Sequence, residues 1–338
     1  MRLFIEPAET LLFRTGRPFD AGEIGYAETL FPPTLETVQG AVRAMIASRL
    51  YPGKPFSEVF SQADIKDLIG DNTPGNYGQF RIMHFSLGKR DKAGNIVPLY
   101  PVPSHILEEH DTGLRLRLEL LPDDEKKYLV ASNMPVSMQL LGFHQNTSSK
   151  LEPLRGWLLE DDLQRALSED EDISKLAVIG AEAIYSKEVR IGIGIENKTK
   201  TTREGLLYQV QMIRMKSDHG FIVDIRFAAG TNQQETEADA RVQAVLPALE
   251  KNEWGWMTLG GEQRAARFTV IPTIFRRRRP AKLLYLVTPA YFHGGWKPQH
   301  WQTVGKEPIA ASIHWRMGSR SQKWRRSKQG DAPLRACR

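Results

Sequence analysis

The chain of 338 residues has almost no cysteine: the only one, Cys337, lies next to the last residue. The body can therefore form no disulfide and no thiolate zinc site, which fits a reducing compartment and makes the cytoplasm the expected location. No apolar run reaches the roughly 18 residues of a membrane span, and the N-terminus Met1-Arg-Leu-Phe-Ile-Glu-Pro turns acidic within six residues. The expectation is a soluble protein with no membrane partner. Histidine is sparse as well. His84, His105, His144, His219 and His293 are scattered, with no His-x-x-x-His or paired-carboxylate spacing, and no His/Asp/Glu cluster implies a metal or another cofactor. The acidic stretch Glu160 to Asp172 lacks the glycine and alternating ligands of a calcium loop and reads as a solvated helix face.

Acid is also scarce in one place. Lys and Arg number 46 against 40 Asp and Glu, but His314 to Arg338 holds eight of those cations and one acid, which leaves 38 and 39 for positions 1 to 313. The body carries no basic surplus, so any nucleic-acid site must be a local stripe.

Such stripes are present. Arg190-Ile-Gly192-Ile-Gly194-Ile, then Lys198, Lys200 and Arg203, then Glu204-Gly205-Leu-Leu-Tyr208 form a basic element punctuated by glycine. A second glycine loop, Leu259-Gly260-Gly261-Glu262-Gln263-Arg264, is followed by Arg267. Glycine allows φ > 0 and close approach of backbone N–H groups to a phosphate, while Arg and Lys supply charge. Neither loop is a nucleotide fingerprint. Gly192-Ile-Gly194 lacks a third glycine and a helix, and Gly260-Gly261 lacks the Lys-Ser or Lys-Thr of a Walker loop.

Length suits two domains, and two successive sets of strands and a helix are expected. Met1 to Ile5 reads as a strand. Thr34 caps a helix whose apolar positions Leu35, Val38, Val42, Met45, Ile46 and Leu50 have helical spacing. Phe80 to Leu87, Ile96 to Val102 and Leu114 to Leu121 follow as strands, the opening of a βαββαβ unit. In the second set Ala177 to Tyr185 is expected as a strand, and Leu206 to Met215 with Phe221 to Phe227 as a hairpin around Lys216 to Gly220. Ala238 to Leu249 is expected as a helix, and Trp254 to Leu259, Arg267 to Ile271 and Lys282 to Thr288 as strands.

Four stretches in order resemble one family: Phe13-Arg14-Thr-Gly-Arg17-Pro-Phe19; Pro32-Pro33-Thr34 with Gly40-Ala-Val-Arg43; Arg190 through Tyr208; and Leu259-Gly260-Gly261-Glu262 with Arg264. The combination resembles the RAMP proteins of CRISPR interference systems, most closely the type III-B effector subunits that hold the 5′ end of guide RNA. The resemblance implies an α+β protein of two ferredoxin-like (RRM-like) domains with inserted loops and hairpins. It places them at 1–155 and 156–313, with a basic tail at 314–338. It implies a noncatalytic subunit that clamps the 5′ repeat-derived tag of the guide RNA, beside a large polymerase-like subunit and backbone RAMP subunits. The expected RNA-binding residues are Arg14, Arg17, Arg43, Arg190, Gly192, Gly194, Lys198, Lys200, Arg203, Gly260, Gly261, Arg264 and Arg267, with Phe19, Tyr26 and Tyr208 as stacking faces.

Plainer readings stand beside these. Gly40 reads as a close-packing position on its helix, Arg43 as either a surface residue or an RNA contact, Tyr208 as core, and Arg276 to Arg279 as a solvated turn. Some relatives of the family cleave guide-RNA precursors with histidine, so a guide-processing endoribonuclease is one alternative and a scaffold without RNA contact is another. The tail also departs from the family pattern. If Arg316 is encoded CGG, reading one base later turns Trp315-Arg316-Met317-Gly318 into the family's Gly-Gly-Trp, and the end then permits its Val-Pro-Ala-Gly. The tail reads either as a frameshift product or as a genuine basic extension to which Trp324 adds stacking; the gene sequence separates the two.

Overall fold

A computed structural model describes residues 1–14, 25–71, 78–120, 141–142, 149–195, 202–227, 254–272 and 285–288. The chain runs β1 (Arg2–Pro7), β2 (Gly25–Ala27), α1 (Leu35–Leu50), α2 (Phe56–Val59), α3 (Ala63–Ile69), β3 (Phe80–Arg90) and β4 (Ile96–Pro101). There follow β5 (Ile106–Glu109), β6 (Arg115–Arg117), β7 (Glu119–Leu120), β8 (Leu141–Gly142), β9 (Leu151–Pro153), β10 (Trp157–Leu158) and α4 (Glu160–Leu167). Last come β11 (Tyr185–Ile195), β12 (Thr202–Met215), β13 (His219–Phe227), β14 (Trp254–Leu259) and β15 (Arg264–Ile271). The protein is a sheet-rich α+β chain.

Two compact units result, one of residues 1–99 and 181–280, the other of 100–180 and 281–338. This division is not the sequential one expected at 155/156. The cause is β1, which pairs antiparallel with β13 on one side and β15 on the other, so the first strand belongs to the same sheet as residues beyond 219.

In the first unit the main sheet runs β4-β3-β13-β1-β15-β14, all neighbours antiparallel. A central strand with neighbours on both sides and both faces covered needs a continuous apolar run, and Leu3, Phe4 and Ile5 are fully buried. Helix α1 covers the face bearing Ile5, Phe221 and Phe268 with Val38, Val42, Met45 and Ile46. Its start is as expected: the Thr34 side chain accepts the Thr37 N–H. Gly40, read as a packing position, is exposed, and a Cβ there would meet nothing within 4 Å. A smaller sheet, β11-β12-β2, belongs to the same unit.

Three expectations are corrected here. Strands β12 and β13 do not form a hairpin with each other: β12 pairs with β11 and parallel to β2, whereas β13 enters the main sheet. The parting follows the burial of their surroundings, since β13 is buried along nearly its whole length whereas β11, the partner that β12 takes, is mostly exposed. Ala177 to Tyr185 is a bridge at Ile179 followed by a 3₁₀ turn at Ala181–Ala183, and the strand starts only at Tyr185. Lys282 to Thr288 is described only from Tyr285 and has no strand there. The expected helix Ala238 to Leu249 lies outside the described residues.

The second unit gathers β5 between β6 and β9, the pair β7 with β8, and β10 on the Tyr100-Pro101 end of β4. Val102, Ile106, Leu154, Leu158, Leu163, Ala166 and Leu176 form its core. Arg115 and Arg117 tie the segment after α4 in place by donating to the carbonyls of Leu176 and Glu169 at 2.8 and 2.7 Å.

Candidate nucleic-acid interface

The glycines of the first stripe lie inside a strand. Gly192 and Gly194 belong to β11, and neither has a positive φ. Gly192 stands opposite Tyr208 on β12, and the tyrosine ring lies directly over it, so that a Cβ at 192 would enter the ring. The glycine is required by an aromatic neighbour and not by a turn. Tyr208, expected in the core, keeps 37 % of its surface exposed. On the same face as Gly192, Arg190 reaches Glu188 at 3.5 Å, and Glu188 is held more closely by Arg214. The Arg214 bonds, then the Arg190 contact, hold the Glu188 carboxyl below its usual range.

The opposite face of β11 carries Val189, Ile191, Ile193 and Ile195, all exposed. Tyr26 of β2 shares that side, its hydroxyl accepting from the Gln211 amide at 2.7 Å. Lys198 and Lys200 lie outside the described residues, as do Arg17 and Phe19. Arg203 is described only as a backbone position of β12.

The second glycine loop is the turn of the β14–β15 hairpin. Gly260 has φ +70° and Gln263 φ +51°, and the Gln263 N–H closes the turn on the Gly260 carbonyl at 3.1 Å. Here the left-handed conformation expected of glycine is used. Gly261 is exposed with open space where a Cβ would point. Arg264, however, faces inward to carboxylates: Glu9 accepts from its Nη1 at 3.1 Å and from the Ala265 N–H at 3.1 Å, and Glu262 is 3.8 Å away. The Ala265 N–H and the Arg264 guanidinium hold the Glu9 carboxyl below its usual range. A carboxylate of the chain itself thus occupies the donors expected to meet a phosphate.

Beside that turn lies a feature the sequence reading passed over. Strand β14 alternates outward Trp254, Trp256 and Thr258 with inward Gly255, Met257 and Leu259. The two tryptophans are 51 % and 61 % exposed. Arg267, directly across from Trp256, stacks its guanidinium over the Trp254 ring at 5.0 Å. From the helix side Arg49 stacks on Phe268 at 4.7 Å and donates to the Trp254 carbonyl at 3.2 Å.

Other candidates are drawn into the fold. Arg43 donates through Nη2 to the carbonyls of Gly70 and Asp71, both at 2.9 Å, and lies over Phe60 at 5.6 Å. That grip on the end of α3 makes it a structural clamp, and burial lowers its pKa. Arg14 is exposed and bridges to Thr29 in backbone pairing. His84 bonds Ser86 at 2.9 Å opposite Asp224, whose carboxylate is held by a two-bonded Arg2 fork at 2.5 and 2.7 Å. His105 is buried against the Ala166 carbonyl at 3.2 Å, and burial lowers its pKa. His219 bonds the Ser217 carbonyl at 2.8 Å; His144 and His293 lie outside the described residues. The described residues contain no group of three or more potential metal ligands and no helix long and apolar enough to cross a membrane.

The sequence model of one family, described as CRISPR-associated protein (Cas_Cmr3), matches residues 3–332, a range that extends into the basic tail. No curated protein matches. Among solved structures the chain is similar to chains of the type III-B Cmr-beta complex bound to cognate target RNA and AMPPnP (18 % identity, 81 % of this chain and 64 % of that one, TM-score 0.37). It is similar as well to chains of the complex bound to cognate target RNA (18 %, 81 % and 65 %, 0.36) and of its apo state (15 %, 79 % and 95 %, 0.34). It thus spans less than two thirds of the length of the first two.

Proposed function

The chain belongs to the CRISPR-associated Cas_Cmr3 family, and from that premise we propose that it is a noncatalytic, cytoplasmic subunit of a type III-B effector ribonucleoprotein. In this reading it clamps the 5′ repeat-derived tag of the guide RNA and docks the large polymerase-like subunit and backbone RAMP subunits. The observation that carries the reading is the family match over nearly the whole chain.

Several features support it. The order β3-β13-β1-β15, with α1 between β1 and β3, is that of a ferredoxin-like domain assembled from two distant parts of the sequence. A second such domain rests on the resemblance alone. With Arg43 and Arg264 committed inside the fold, the RNA grip falls to Arg14, Arg17, Arg190, Lys198, Lys200, Arg203 and Arg267, and to the backbone at Gly192, Gly194, Gly260 and Gly261. The exposed aliphatic row Val189, Ile191, Ile193 and Ile195 suits a protein neighbour, since it offers apolar area without a donor or a cation.

The test is to purify the complex expressed with its neighbouring genes and sequence the ends of the bound RNA, before and after charge reversal at Lys198, Lys200 and Arg203. RNAs sharing one 5′ sequence, made ragged or lost in the variant, are the expected outcome. An assembled complex with unchanged RNA ends would reassign the protein to the scaffold class, and cleavage of repeat RNA by the purified chain would make it a processing enzyme.

A further inference from the structure

We propose that the outer face of the β14–β15 hairpin, formed by Trp254, Trp256 and Arg267, is a stacking platform for unpaired bases of single-stranded RNA. The proposal rests on the RNA-binding reading above and adds to it a second kind of contact, with bases instead of phosphates.

Among the described strands β14 is the last of its sheet, and where an edge strand normally carries charge or bulges it presents two indoles to solvent at alternate positions. Residues two apart on a strand sit about 7 Å from each other on one face, twice the roughly 3.4 Å rise between stacked bases. Each indole plane is a surface on which a base stacks whatever its sequence.

The platform is braced from behind. Gly255, between the two tryptophans, has its missing side chain replaced by the Arg49 guanidinium; a Cβ there would collide with Arg49 and with the Phe268 ring. Arg49 in turn holds the Trp254 carbonyl. Strand β14 is thereby pinned at the point from which both indoles project, which spares the ordering cost of binding.

Charge selects the ligand. Among the described residues Arg267 forms no ion pair, and its guanidinium is held against the Trp254 ring. Its nearest acid in register, Glu6 on β1, is engaged by Arg90 at 3.2 and 3.3 Å. A flat cation on an aromatic plane, with its own charge unmatched, is complementary to a base with its phosphate. On the same face the flanking positions are Thr258 and Thr269, which add a hydroxyl each, and the exposed aliphatic row described above lies on β11.

The experiment titrates the full chain against a fluorescent single-stranded RNA of mixed sequence and against an abasic strand of equal length, which keeps every phosphate and lacks the bases. Trp256→Ala, and Trp254→Ala with it, should weaken binding of the base-bearing strand by about tenfold or more and leave the abasic strand unaffected. Trp256→Phe should retain most of the affinity, and Arg267→Ala should weaken both strands. Unchanged thermal unfolding of the tryptophan variants establishes that they are folded. Equal affinity of wild type and Trp variants for the base-bearing strand would overturn the platform while leaving RNA binding intact. A wild-type chain that binds neither strand would remove the RNA reading itself. Tryptophan variants that keep RNA affinity but lose a neighbouring subunit on copurification would make this face a protein contact and equally overturn the proposal.

Discussion

Gly192→Ala separates two roles for the glycine stripe. If Gly192 exists to let Tyr208 lie across it, a methyl at 192 must push the ring out. Tyr208 is 37 % exposed, so a complete swing re-exposes roughly 60 % of a residue surface of about 200 Å², or about 120 Å². At about 25 cal/mol per Å² the ceiling is about 3 kcal/mol, and a partial swing costs about half of that. Against this stands a gain of about 0.5 to 1 kcal/mol for replacing glycine within a strand. Gly192→Ala should therefore destabilise the wild type by about 1 to 2 kcal/mol. In a Tyr208→Ala background the obstacle is gone, and the same change should become neutral or stabilising by about 0.5 to 1 kcal/mol. Urea unfolding of the four proteins in the cycle measures the coupling. The same sign and size in both backgrounds would refute the reasoning and return Gly192 to a role in backbone contact with RNA.

Two further outcomes follow from the cations found inside the fold. Arg43→Ala should lower stability by about 1.5 to 3 kcal/mol through its lost charge-assisted bonds to Gly70 and Asp71, with RNA affinity unchanged in the same titration used for the hairpin variants. The depressed pKa of Glu9 makes its contact with Arg264 and Ala265 fully stabilising above the ordinary glutamate range, and that stabilisation is lost as pH falls below it. The urea midpoint of the wild type should thus decline more steeply than that of Glu9→Gln between neutral pH and the acid limb; parallel curves would show that the contact contributes nothing.

What the sequence disclosed was local. Thr34 and the spacing of Val38, Val42, Met45 and Ile46 placed α1 to the residue, because capping and helical periodicity are decided within one element. Pairing was not local and went partly unread. Adjacent strands with a short turn suggested a β12–β13 hairpin, yet the continuous apolar run Phe221 to Val223 already distinguished β13 from the alternating Ile191, Ile193 and Ile195 of β11. That difference in period separates a buried strand from a surface one. The same alternation marked Gly192 and Gly194 as strand residues. At the site, Arg267 was legible as a cation, but its tryptophan partners were passed over, although Trp254-Gly255-Trp256-Met257 puts both indoles on one face. Arg43 and Arg264 were legible only as cations, because their partners, Gly70, Asp71 and Glu9, are revealed only when distant segments meet.

The position of β1 also sets a timetable for the protein's birth. Arg2 and Asp224 face each other across the sheet although they are 222 positions apart, and β15, on the other side, is translated later still. At about 5 to 20 residues per second, the apolar Leu3-Phe4-Ile5 waits on the order of 10 to 40 s after emerging before its first neighbour exists. Throughout that interval the ribosome carries a nascent chain in which a strand with three fully buried residues is still unpaired. Helix α1 can form early but has no complete sheet to rest on. The first unit is therefore committed late and all at once, and a ribosome that stalls before β13 leaves a product with its leading strand bare, a natural substrate for chaperones and proteases.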